Sequence, residues 1–222
     1  MPEGGLTAQL RAQAAPLWEA LVHHPFVVQL FTGQLPLEKF KFYLLQDYNY
    51  LVGLIRALAL VMAKSEFGLL REVLGVVQGL ATAELRNYAD LLGALGLKVE
   101  DAVRTPPSAV NAAYVDFMIA TAALGTPHEG LLAVLPCFWS YQDIAEAHRE
   151  DLARNPNPLY VRWAESYLSE GYRTVVAQLR AAIDSSPLDF RAAWPIFARA
   201  CRYERWFWDM AYHLLETWPG CG

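Results

Sequence analysis

The stretch Phe40 to Val61 constrains the chain more than any other. Phe40, Leu44, Asp47, Leu51, Leu54, Leu58 and Val61 step alternately by four and three, so all seven side chains share one stripe of an α-helix. That stripe normally faces a core. Six of its members are apolar and the middle one is an aspartate. A carboxylate there costs several kcal/mol, as an order of magnitude, unless it is paired, hydrogen-bonded or neutralised. The chain must supply Asp47 with a reason to be inside.

Helical periodicity continues along the whole sequence, and almost nothing reads as strand. The first helix is expected at about 6–31, breaking near His24-Pro25 because a residue before proline is pushed out of the α region. Others follow at about 37–63, 66–95 (stopping at Gly96) and 108–124, the last after a loop, Leu97–Pro107. Thr126-Pro127-His128-Glu129 carries a cap, a first-turn proline and a capping-box glutamate. Ser186-Pro187-Leu188-Asp189 repeats the scheme with aspartate, and Asn157-Pro158 supplies cap and proline alone. These open helices at about 127–153, 158–184 and 187–217. The expected architecture is all-α: a single-domain helical bundle of about seven helices spanning 1–222.

Two later helices repeat the anomaly. Phe197, Ala200, Glu204, Phe207, Ala211 and Leu214 form a stripe with Glu204 in its middle, beside Tyr203, Trp206 and Trp208. Val134, Cys137, Tyr141, Ile144 and His148 form another, and Pro136 removes a backbone donor next to Cys137. Each has a structural explanation: a salt-bridged acid, a small buried thiol, core tyrosines with satisfied hydroxyls. Glu84, near the seam Leu80–Tyr88–Leu91, is read as structural, a partner for an arginine. Jointly, two core-facing carboxylates, a thiol and several tyrosines describe an aromatic, polar pocket for a flat polar heterocycle.

Composition narrows the partners. Of 222 residues, 55% are hydrophobic and 18% charged, which excludes a disordered chain. The net charge is −5 and the 18 Lys and Arg form no run, so nucleic acid and anionic membrane are poor partners. The N-terminal MPEGGLTAQLRAQ lacks a basic region followed by an apolar core, so no secretory signal is expected. Arg56 and Lys64 interrupt the best apolar run. Cys137, Cys201 and Cys221 form no CxxC pair, which suits free thiols in a reducing, cytoplasmic setting.

The motifs His24-Pro25-Phe26-Val27, Gly33-x-Leu35, Gln46-Asp47-Tyr48-x-Tyr50-Leu51 and Ser108…Tyr114 run in order along the chain. They continue as Leu135-Pro136-Cys137-Phe138-Trp139-x-Tyr141, Tyr167-x-Ser169-Glu170 and Tyr203-Glu204-x-x-Phe207-Trp208. In this order and spacing the chain resembles the TenA or thiaminase II family, in its cysteine-containing branch. The resemblance implies a haem-oxygenase-like fold, a cytoplasmic homotetramer, and hydrolysis at the exocyclic methylene of 4-amino-2-methylpyrimidines without metal or organic cofactor. It implies thiamine or its aminomethyl-pyrimidine breakdown product as substrate, in thiamine salvage.

Carried over by position, Cys137 corresponds to the nucleophile, Glu204 to the proton donor and acceptor, and Tyr50 to the tyrosine that activates the thiol. Asp47 corresponds to a bidentate ligand for the amino group and adjacent ring nitrogen. Tyr114, Tyr141 and Tyr167 correspond to pocket tyrosines. Two competing readings share the residues. A haem or di-iron enzyme would need histidines where the chain has few: no Glu-x-x-His occurs, and His23 or His24 would have to serve as axial ligand. A non-catalytic pyrimidine-binding or regulatory bundle would have no use for Cys137 or Glu204.

Overall fold

The structure is a computed structural model that describes residues 4–218. It is helical throughout, with no strand among the described residues. The chain begins with α1 (Leu6–Gln13), α2 (Ala15–Val22) and α3 (Pro25–Phe31). The expected break at His24 is present, with His24 Nδ1 accepting from the Phe26 amide at 3.1 Å as the cap of α3. A second break, at Ala14, was not expected. Pro16 causes it, because its ring leaves the amide of α2's first turn without a proton to donate.

Next comes α4 (Leu37–Lys64), 28 residues long, and every member of the Phe40–Val61 stripe is buried on it. The expected helix at 66–95 is α5 (Phe67–Gly79), a five-residue π-helical turn (Leu80–Glu84) and α6 (Leu85–Ala94). It is closed by Gly96 at φ 72°, a left-handed conformation that glycine adopts freely. The expected loop after it holds a short helix, α7 (Val99–Arg104), which the Asp101 carboxylate starts by accepting from the Lys98 amide at 2.8 Å. Then follow α8 (Ala109–Leu124), α9 (Pro127–Ala147) and α10 (Arg149–Leu152).

The remaining elements are α11 (Pro158–Glu165), a 3-10 turn (Ser166–Leu168), α12 (Glu170–Asp184) and α13 (Phe190–His213). The capping box at Thr126 and the Asn157 cap form as their spacing predicts. Ser186 does not cap the last helix. Its hydroxyl turns back to the Ile183 carbonyl at 2.7 Å, and the Asp189 carboxylate accepts from the Ala192 amide at 2.8 Å instead. The helix therefore starts three residues later than expected, since the acid has the helix's own amides to bind and the serine an upstream carbonyl. It also ends earlier. Leu214 is its exposed cap at φ 57°, so the Glu204 stripe stops at Ala211.

Segmentation explains why the described chain has more helices than the seven expected. The packing order is simple: α4, α8 and α9 each pack against the other two, and α13 closes over α9 and α8. One connected apolar core runs through all four. No helix among the described residues is long and apolar enough to cross a membrane.

Candidate active site

The three polar seams meet. A small inner cavity of ≈20 Å³ is lined by Asp47, Tyr50, Leu51 and Leu54 from α4, and by Cys137, Phe138 and Tyr141 from α9. Leu80 and Glu84 of the π turn, with Tyr167 and Tyr172, complete the wall. Five of the seven residues singled out in the sequence thus face one chamber: Asp47, Tyr50, Cys137, Tyr141 and Tyr167. Tyr114 and Glu204 stand outside that lining, both buried, joined by a 2.5 Å hydrogen bond from the tyrosine hydroxyl to Glu204 Oε1. Tyr114 also packs against Tyr50, ring centroids 5.1 Å apart, and stacks on Tyr203.

Asp47 has no cationic partner among the described residues. Tyr43 Oη donates to its Oδ2 at 3.0 Å, and Tyr88 donates to the same oxygen. Tyr141 lies 3.2 Å from the Tyr43 hydroxyl, and the Trp163 indole donates to the Tyr88 oxygen at 3.3 Å. Two short relays therefore converge on Oδ2. No donor among the described residues bonds Oδ1. Burial nevertheless dominates and pushes the Asp47 carboxyl up to about 6, the Tyr88 and Tyr43 bonds pulling the other way. The relay tyrosine Tyr43, one helical turn before Asp47, and Tyr88 were not singled out in the sequence.

Glu204 lies deeper in electrostatic trouble. Burial pushes it up to about 8, opposed by the Tyr114 bond and reinforced by the Asp47 charge. Burial likewise holds the Cys137 thiol well above its ordinary range, with the Glu204 charge adding to the effect and a hydrogen bond from Tyr50 opposing it. The Tyr50 hydroxyl has two sulfur acceptors within reach: Met118 Sδ at 3.5 Å and the Cys137 thiol. A thiolate would be the better acceptor of the two. Acid, thiol and tyrosine are thus coupled: a charge on Glu204 opposes ionisation of Cys137, and the Tyr50 hydroxyl favours it.

Glu84 corrects the sequence reading. No arginine meets it. Tyr167 Oη donates to its Oε1 at 3.4 Å, and the nearest arginine on that side, Arg162, is engaged with Asp90 and Asn87. Burial, then the Asp47 charge, push Glu84 up to about 7. Together with Leu80, Phe138 and Tyr172 it also lines an outer chamber of ≈580 Å³, so these four side chains form the partition between the two spaces.

The other motif residues hold the frame. The Gln46 side chain donates to the Pro106 carbonyl at 3.0 Å and accepts from the Ser108 amide at 2.9 Å, tying α4 to the start of α8. His24 spends Nδ1 on its helix cap and Nε2 on Asp209, 3.0 Å away, which leaves neither nitrogen for an axial haem bond. His23 pairs with Glu19 on the surface. Cys201 is buried away from the chamber lining, its thiol held well above the ordinary range by burial. Cys221 lies outside the described residues.

Comparison with known proteins agrees with this arrangement. The TENA/THI-4/PQQC family profile matches residues 11–214. An aminopyrimidine aminohydrolase from Halalkalibacterium halodurans is 32% identical over 215 residues, covering 93% of this chain and 95% of that protein. A solved TenA homologue from P. horikoshii OT3 is 47% identical with a TM-score of 0.92, covering 95% of this chain and 99% of that one. A solved Shewanella denitrificans domain with a haem-oxygenase-like fold superposes with a TM-score of 0.77 at 12% identity, covering 94% of this chain and 92% of that one. At that identity the likeness is of fold alone, and the fold is haem-oxygenase-like.

Proposed function

This chain belongs to the TENA/THI-4/PQQC family, and from that premise we propose that it is an aminopyrimidine aminohydrolase of thiamine metabolism. It hydrolyses 4-amino-2-methylpyrimidines at the exocyclic methylene, through a transient adduct with Cys137. The observation that carries the reading is the buried chamber in which Asp47, Cys137 and four tyrosines converge, with Glu204 coupled to the thiol.

The amino group of the pyrimidine meets Asp47 Oδ1, the oxygen free of protein donors. Pairing with the adjacent ring nitrogen as well requires room on Oδ2, which Tyr43 yields by turning its hydroxyl to Tyr141, 3.2 Å away. Tyr141 and Tyr167 wall the ring. Glu204 takes the Cys137 proton, and the thiolate, held by the Tyr50 hydroxyl, adds to a ring carbon. The displaced electron pair moves to a ring nitrogen, which takes a proton from solvent. Collapse of that adduct expels the group on the methylene with its bonding pair: a cationic nitrogen leaves as the neutral base, and an uncharged amine takes the Glu204 proton as it goes. Water adds to the methylene and gives its proton to Glu204 where that carboxylate is free, and to solvent otherwise. The thiolate is then expelled, the ring nitrogen releases its proton as the ring regains aromaticity, and Glu204 reprotonates the thiolate.

For an aminomethyl-pyrimidine the products are the hydroxymethyl-pyrimidine and ammonia. For thiamine they are the hydroxymethyl-pyrimidine and the thiazole alcohol, for which the outer chamber leaves space. Cytoplasmic residence and a homotetramer belong to the same proposal. The free thiols Cys137 and Cys201 support the first; the exposed side chains Phe67 and Leu124, at 76% and 89% exposure, support subunit contacts. Ammonia release from aminomethyl-pyrimidine and thiazole release from thiamine should both be assayed. In Cys137→Ser both should fall by at least about 100-fold while helicity by circular dichroism stays at the wild-type level, because a hydroxyl is a far weaker nucleophile. Full activity in that variant would remove the adduct from the mechanism.

A further inference from the structure

The inner chamber is unusually rich in negative groups. Asp47 and Glu84 line it and Glu204 lies just behind, yet no lysine, arginine or histidine is part of its wall. Asp47 is satisfied by tyrosines and Glu204 by Tyr114. Glu84 has only one long bond, from Tyr167. It makes no salt bridge among the described residues, since Arg162 across the outer chamber is held by Asp90 at 2.6 Å. The Asp47 charge disfavours ionisation of Glu84 and Glu204, and a cation bound in the chamber would offset that effect at the two acids that line it.

Glu84's position says which part of a ligand would carry that charge. It stands in the partition between inner and outer chambers, with its backbone in the π turn. π turns place an extra residue in a helix and re-aim the side chains around it. A pyrimidine held at Asp47, with its reactive methylene near Cys137, has to send the substituent on that methylene toward the exit. The partition, where Glu84 sits, is the side that opens on the larger space.

We propose that Glu84, oriented by Tyr167, recognises the positive charge of the leaving group, an ammonium or other cationic nitrogen on the methylene, and so makes a cationic substituent a specificity requirement. The inference rests on the aminopyrimidine reading above and deepens it. No proton or electron pair passes through Glu84; it is a binding residue for the departing group, whereas Glu204 keeps the acid–base role. Approach of the cation favours the carboxylate form of Glu84, so recognition and ionisation reinforce one another.

The test compares wild type with Glu84→Gln, which keeps size and removes charge. Ammonia release from aminomethyl-pyrimidine gives KM and kcat, and inhibition by hydroxymethyl-pyrimidine, which has the same ring and no charge on its methylene, gives Ki. KM for the amine should rise about tenfold, as loss of a charge-assisted bond implies. The turnover number should stay within about threefold and Ki within about twofold. A parallel rise of KM and Ki would make Glu84 a structural member of the wall, and an unchanged KM would end its role in recognition. A variant that lost its helical circular dichroism signal would likewise count for the structural role. Failure of the wild type to release ammonia would instead refute the function proposed above, and no variant enters that result.

Discussion

Asp47, Glu84 and Glu204 illustrate how differently three buried acids can be read from a sequence. Asp47 and Glu204 interrupt regular apolar stripes, so periodicity alone marks them as costly and in need of a reason. Glu84 was also near a seam, but the π turn that carries it changes the register at that point, and a register change leaves no trace in a pattern of threes and fours. Tyr114 is the most informative single residue to alter. Its 2.5 Å bond favours the Glu204 carboxylate and opposes the effect of burial. Removing it in Tyr114→Phe should therefore lift Glu204 above about 8, and the pH at which turnover changes with Glu204 ionisation should move upward by about one unit, the scale of a charge-assisted bond. A kcat profile from pH 6 to 10 checks this. An unchanged profile with lower kcat would mean that Tyr114 acts by packing on Tyr50 rather than by tuning the acid.

At the scale of the element, the chamber that α4 and α9 line is framed by the close packing of α4, α8 and α9. Two glycines permit this. A Cβ on Gly53 of α4 would fall 2.6 Å from a Val115 methyl on α8. On Gly130 of α9 it would fall 2.6 Å from a Val61 methyl on α4 and 3.1 Å from the Ala122 Cα on α8. The second contact involves backbone, which cannot rotate aside. Gly130→Ala should therefore lower stability by about 1–3 kcal/mol and Tm by several degrees, despite alanine's higher helix propensity. Thermal unfolding checks it, and an unchanged or higher Tm would show that the helices can separate without loss. Much at this scale was readable beforehand. The α4 stripe, the Thr126 box, the Asn157 cap and the His24 break all rest on local chemistry, and all are present. The breaks at Ala14, the late start at Asp189 and the arrival of Tyr43 and Tyr88 at Asp47 were not. They depend on which of several local options the rest of the core selects, and on partners as far apart in sequence as Asp47 and Tyr88.

At the scale of the molecule, the same acids set how stability depends on pH. An unfolded chain would release the Asp47 and Glu204 protons at the ordinary values, 3.8 and 4.5, whereas the folded chain holds them to about 6 and about 8. Between those limits the folded state binds more protons than the unfolded one, so these two groups make stability fall as pH rises. Their contribution is complete below about pH 4. It is lost through about pH 6 for Asp47 and about pH 8 for Glu204. Other groups titrate too, including Glu146: burial raises its carboxyl, but the bonds and charges of Arg173 and Arg149 together outweigh that and hold it below its usual range, so it acts in the opposite sense. The contribution of Glu204 is isolated by difference. Glu204→Gln keeps an oxygen to accept from Tyr114 and has no charge to bury. Its Tm should equal or fall below that of wild type at pH 5, where Glu204 is already protonated, and should exceed it by several degrees at pH 8.5. Thermal unfolding of both proteins across this range checks the sign. Parallel curves would show that Glu204 titrates near its ordinary value, and would take away the proton affinity that the proposed chemistry requires of it.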